Sequence, residues 1–135
     1  MKANKTQKQN VMHPVTESLK DENGKPLLWE IRPLTTRENE AIREACTMEV
    51  PIKGKPNQYR PKVDMNKYQV KLVCAAIVNP DLNDKDLQDS YGVMSAEDLI
   101  KEMVDNPAEY TDLMIFVQNI SGFKTLQEEV DEAKN

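Results

Sequence analysis

The sequence predicts a mostly α-helical fold of the α+β class: a compact array of five to six short helices preceded by a β-hairpin. Three observations lead there. Apolar residues recur at helical spacing in successive segments, each opened by a residue that caps helices. Two runs of alternating polarity flank Asn23-Gly24, the dipeptide best suited to a two-residue hairpin turn. Aromatic residues make up only 5% of the chain, few for a sandwich or barrel but compatible with helices packed through aliphatic side chains.

Residues 1–14 are polar, basic and aperiodic and read as a disordered arm. Residues 15–135 make one domain, long enough to bury a core without disulfides or metals. Val15, Glu17 and Leu19 alternate with Thr16, Ser18 and Lys20, and Leu28 to Arg32 alternates again with Trp29 and Ile31 on one face. These runs predict the hairpin strands, with Pro26 where the ladder needs no donor. A lone ribbon is marginal, so Trp29 and Ile31 should pack on the helices.

Thr35-Thr36-Arg37-Glu38 is a capping box and opens a helix running to about Met48. The segment 51–61 holds three prolines and Gly54 and reads as a long basic loop, with Lys53, Lys55, Arg60 and Lys62 around Tyr59. Asp64 caps the next helix, which stops at Asn79-Pro80. A short helix from about Asp84 to Tyr91 ends at Gly92, and Ser95 starts another bearing Leu99, Ile100, Met103 and Val104. Asn106-Pro107-Ala108-Glu109 is the clearest helix start in the chain: Asn as cap, Pro at the first position, Glu at the third. That helix carries Tyr110, Leu113, Met114, Val117 and Ile120 and ends before Gly122. A last amphipathic segment uses Phe123, Leu126, Val130 and Ala133 among acidic residues.

Little in this chain is suited to chemistry. There is no Gly-rich phosphate loop, nucleophile elbow, HExxH or paired CxxC. The single histidine, His13, falls in the predicted arm, so an enzyme is not expected and no cofactor or metal is implied. Asp81 to Asp86 imitates a calcium loop but places Lys85 at the fifth position and Asp86 where Gly belongs. Cys46 and Cys74 lie on apolar helix faces and read as small buried hydrophobes of a reducing compartment. No apolar run is long enough to span a membrane. A net charge of −5 gives no general reason to bind nucleic acid, despite the basic loop. These features point to a cytoplasmic protein that acts by binding other proteins. Seven methionines read first as core filling, with an adaptable partner surface as the functional alternative.

Several stretches carry a resemblance. They are Lys20 to Pro26 followed by Trp29-Glu30-Ile31-Arg32 and Leu34-Thr35, then Ala45-Cys46-Thr47, then Leu87-Gln88-Asp89-Ser90-Tyr91-Gly92-Val93. Glu109-Tyr110 with Leu113, Gly122-Phe123 and the terminal Glu132-Ala133-Lys134-Asn135 complete the series. In order and spacing, from about residue 17 onward, the chain is similar to the XkdN-like tail assembly chaperones of long-tailed phages and PBSX-type prophage elements. Related sequences often have Gly where Ala108 stands, and Ala is the better helix former.

The resemblance implies a chaperone that acts in tail construction in the bacterial cytoplasm and is absent from the finished virion. Its client would be the tape measure protein, kept soluble while tail tube subunits, a further possible partner, polymerise around it. The alternatives are a virion component such as a connector or completion protein and, less favoured, a small nucleic-acid-binding regulator. Client helices would lie in an apolar groove, read through anchors one helical turn apart. The apolar faces of the last helices nominate Leu99, Met103, Tyr110, Met114, Val117 and Phe123 as partner-binding residues, with core packing as their competing role. Self-association is compatible with the same surfaces.

Overall fold

Helix and sheet share this structure, a computed structural model that describes residues 8–123. The strands and helices, in chain order, are β1 (Val11–Pro14), β2 (Leu28–Ile31), α1 (Thr36–Ala45), β3 (Thr47–Pro51), β4 (Tyr59–Val63), α2 (Met65–Ala76), β5 (Ile77–Asn79), α3 (Lys85–Ser90), α4 (Ala96–Met103) and α5 (Pro107–Ser121). Among the described residues about 44% are helix and 20% strand. The fold is therefore mixed α+β rather than mostly α. The amphipathic segment expected after Phe123 lies outside the described residues.

The excess strand comes from two places the sequence hides. One is β5, three residues that follow α2 directly and pair antiparallel with β2, giving the sheet order β1-β2-β5. A strand that short shows no alternation to read. The other is the segment expected to be a loop. There β3 and β4 pair antiparallel from Thr47↔Val63 to Pro51↔Tyr59. Ile52 N–H donates to Gln58 O at 2.9 Å and Asp64 N–H to Cys46 O at 2.9 Å, which places the bonded pairs at even positions of β3. Pro51 and Pro61 thus fall in non-bonded pairs, where a missing N–H costs the ladder nothing.

The N-terminal hairpin exists but is built differently from expectation. Its first strand is Val11–Pro14, inside the segment read as an arm, and not the run starting at Val15. Val15 and Thr16 instead turn inward and are buried. The ribbon continues through Leu27 N–H to Leu19 O at 2.8 Å and an isolated bridge between Lys20 and Pro26. At the tip Gly24 has φ +78°, but Asn23 does not share the left-handed region, so the turn is not the type I′ expected of Asn-Gly. Asp21 explains the difference: its carboxylate accepts from the Asn23 and Lys25 amides and makes an Asx turn. His13 is held in place too, stacked on Phe116 of α5 with ring centroids 3.7 Å apart, and partial burial there pushes its imidazole pKa down.

Helix α2 is the hub. Its buried Tyr68, Val70, Leu72, Val73 and Ala76 meet α1, α4 and α5, and Arg32 N–H donates to Ala76 O at 2.8 Å to tie the sheet to its end. Trp29, Ile31, Leu72, Leu99, Ile100, Leu113, Val73 and Val117 are the largest fully buried side chains. The caps follow the sequence closely. Asn106 accepts from Ala108 and Glu109 amides, and Gly122 at φ +82° lets Phe123 N–H reach Gln118 O at 2.9 Å, closing α5.

Helix α1 buries no residue fully and depends on its first turn. Thr35 Oγ1 accepts from Glu38 N–H, and Glu38 in return accepts from Thr35 N–H and pairs with Arg32. The Arg32 hydrogen bond, more than any other contact, holds the Glu38 carboxyl at about 2 instead of its ordinary 4.5. A carboxylate with a lowered folded pKa stabilises above its unfolded value and stops doing so as pH falls toward the folded one. Glu38→Gln is therefore expected to cost about 1 kcal/mol at neutral pH, the scale of a lost cap at a partly exposed site. The difference from wild type, followed by urea denaturation, should shrink steadily between pH 4.5 and about 2; a difference that stays constant would dismiss the ion pair and cap as its source.

Candidate functional site

Two of the six residues nominated from the sequence, Leu99 and Met103, sit on the inner face of α4; Val117 sits on that of α5 beside Leu113. Leu99, Met103 and Val117 are buried within the core. Tyr110, Met114 and Phe123 are half-buried and pack against that core from α5 and its cap. The Tyr110 hydroxyl is shielded from solvent and has no hydrogen-bond partner among the described residues, and burial raises its pKa.

The position of α5 comes from its first turn. Glu109, at the third helical position, accepts from Thr16 Oγ1 at 2.7 Å and from Glu17 N–H at 2.9 Å. The backbone donor and the Thr16 hydroxyl both hold the Glu109 carboxyl below its usual range. Thr16 is 3% exposed, so this carboxylate satisfies a buried hydroxyl and clamps the segment after β1 onto α5. At the other end Ser121 Oγ accepts from Leu34 N–H at 2.8 Å. The Glu109 that stands out in the sequence as part of a helix start is thus also a tertiary clasp.

Open apolar surface lies elsewhere. A groove of about 500 Å³ runs between α1, α2 and the start of α4, lined by Ile42, Cys74, Ala75 and Ala96. Polar side chains line it as well: Asn83, Gln88, Ser95 and the Lys71–Glu97 ion pair at 3.1 Å. Met94 stands at its edge, 94% exposed. Its side chain adds exposed apolar area beside the groove. Met94 occupies the linker between Gly92, which follows the Tyr91 C-cap of α3, and Ser95, the N-cap of α4. Helical periodicity does not predict its burial there, and no sequence pattern singles it out. Ile42, Cys74, Ala75 and Ala96 come from three elements and carry no shared pattern.

The one thiol lining the groove is held in its protonated form. Desolvation by burial, with the Glu97 charge beside it, pushes the Cys74 thiol up to about 12, so it stays protonated and unreactive at neutral pH. Cys46 is buried and also free. Among the described residues no cluster of three or more His, Cys, Asp or Glu could hold a metal, and no helix is long and apolar enough to cross a membrane.

Comparison with known proteins agrees with this architecture. The chain is 22% identical over 123 residues to phage-like element PBSX protein XkdN of Bacillus subtilis (strain 168), covering 90% of this chain and 82% of that one. Its fold matches the crystal structure of the protein yqbn with a TM-score of 0.75 at 16% identity, over 92% of this chain and 93% of the other. The family model described as phage XkdN-like tail assembly chaperone protein matches residues 1–134. That is a family of chaperones and not of enzymes. With nearly its whole length matched, the chain belongs to the XkdN-like phage tail assembly chaperone family.

Proposed function

We propose that this chain binds the tape measure protein in the host cytoplasm, keeps it soluble while tail tube subunits assemble around it, and is absent from the mature virion. The observation that carries this reading is Met94, 94% exposed at the edge of a groove lined by both apolar and polar side chains. A long client presents many different apolar residues in turn, and an unbranched thioether adapts to each at little cost. Client helices laid between α2 and α4 would set their apolar face on Ile42, Ala75 and Ala96, with Asn83, Gln88 and the Lys71–Glu97 pair receiving their polar flanks. Of the sequence-nominated residues, Tyr110, Met114 and Phe123 are the ones able to add contact area without unfolding. Leu99, Met103 and Val117 would support the surface from beneath.

Co-expression with the tape measure protein tests this. The client is expected to be soluble only with this chain and to elute with it. Met94→Glu should weaken that capture at least about tenfold, with a melting temperature unchanged, because the side chain packs on little. A client equally insoluble with and without the chain would end the proposal, and finding the chain in purified particles would make it a virion component.

A further inference from the structure

Residues 8–17 lie along α5 as well as beside β2. Lys8 Nζ donates to Ile120 O at 3.4 Å, His13 stacks on Phe116, and Glu109 accepts from Thr16 Oγ1 and Glu17 N–H. The α5 positions 109, 116 and 120 are two turns and one turn apart, so they form one stripe. The segment therefore runs antiparallel to the helix, from its last turn back to its first.

Along this path the fixing is uneven. Val15 and Thr16 are buried, and Glu109 satisfies the Thr16 hydroxyl, which anchors the segment at residues 15–17. None of residues 8–14 is buried, and Met12 is 53% exposed. Strand β1 is an edge, paired with β2 alone in the order β1-β2-β5, and its Pro14 has no N–H to donate. Few buried apolar contacts and an exposed ladder mark a segment that opens before the rest of a fold. What lies beneath it is different. Register sets Val11 opposite Ile31 and His13 opposite Trp29, and both of those β2 side chains belong to the core.

We infer that residues 8–14 are a strap that swings open about the Glu109 anchor while the remaining fold stays intact. Closed, the strap fills a strand-accepting site made by the edge of β2 and the Phe116 stripe of α5. It thereby denies that site to any other extended segment, an autoinhibitory contact built into the chain. The shape of the site is read from its occupant: an aliphatic side chain at Val11 and, two residues on, a flat ring at His13. None of these residues lines the groove beside Met94.

Hydrogen exchange on the unaltered chain tests the hinge. The amides of β1 are expected to exchange at least about tenfold faster than those of α2 under native conditions. A second test supplies the strap in trans. Val11→Ser with His13→Ser weakens the strap in the full chain, and a peptide of residues 8–16 is then added. Trp29, the chain's single Trp and the register partner of His13, reports on the site through its fluorescence. The variant is expected to emit further to the red than wild type and to return when the peptide binds. Wild type should take up the peptide at least about tenfold more weakly, because its own strap competes at a millimolar effective concentration. A peptide carrying the same Val11→Ser and His13→Ser changes should not bind. Strand β1 amides that exchange no faster than those of α2, or a peptide that binds both chains alike or neither, would overturn the inference. A variant that loses its helical far-UV signal would do the same, since the strap would then be part of the core.

Discussion

Trp29→Ala is expected to lower stability by about 3–5 kcal/mol, the range for removing a fully buried large aromatic side chain. Trp29 is 2% exposed and sits on β2, the central strand of the three-stranded sheet. Its inward neighbour Ile31 is completely buried, and the sheet meets α2 through the Arg32–Ala76 hydrogen bond at 2.8 Å. A cavity at this junction cannot collapse without moving the strand, so the cost should fall near the upper end. Set against total stabilities of about 5–15 kcal/mol, the variant should unfold at far lower urea concentration. Far-UV dichroism is the suitable probe, because the substitution removes the chain's single Trp. A loss under about 1 kcal/mol would mean that the hairpin is not integral to the core.

Leu99→Ala separates the two roles open to the α4 and α5 faces. Leu99 is fully buried between α4 and its neighbours, so truncation should cost about 2–5 kcal/mol and lower the melting temperature by about 10–20 °C for a domain of this size. Client capture by the folded fraction should change little. Met94→Glu is expected to give the opposite pattern, stability kept and capture lost. If Leu99→Ala leaves the melting temperature within about 2 °C but abolishes capture, Leu99 belongs to a surface that opens toward the client.

The helix starts were the most legible part of the sequence. Thr35, Asp64, Asp84, Ser95 and Asn106 each cap the helix they announce, because a cap is satisfied within three residues of itself. The positions of Trp29 and Ile31 on a buried sheet face also follow from alternation alone. What the sequence hid depends on partners far along the chain. Nothing within residues 8–14 marks them as a strand; pairing with β2 and the stacking of His13 on Phe116 order them. Pro51 and Pro61 look like breakers locally, and only the register of β3 against β4 places them where no donor is needed.

The same division runs through the candidate site. Helical periodicity found the apolar stripes of α4 and α5, but an apolar stripe has the same spacing whether it faces a core or a partner. Which it faces is decided by what packs on it, and here α2 packs against both α4 and α5 while Leu99, Met103 and Val117 are buried. Met94 escapes that cover because its linker position lets no helix bury it. By itself, then, the sequence determined the caps, the helix periods and the family. The tertiary structure decided the strand pairings, the clasp at Glu109 and the location of open apolar surface. Local hydrogen bonds and spacing are written within a few residues, whereas burial is a property of the whole chain folded around them.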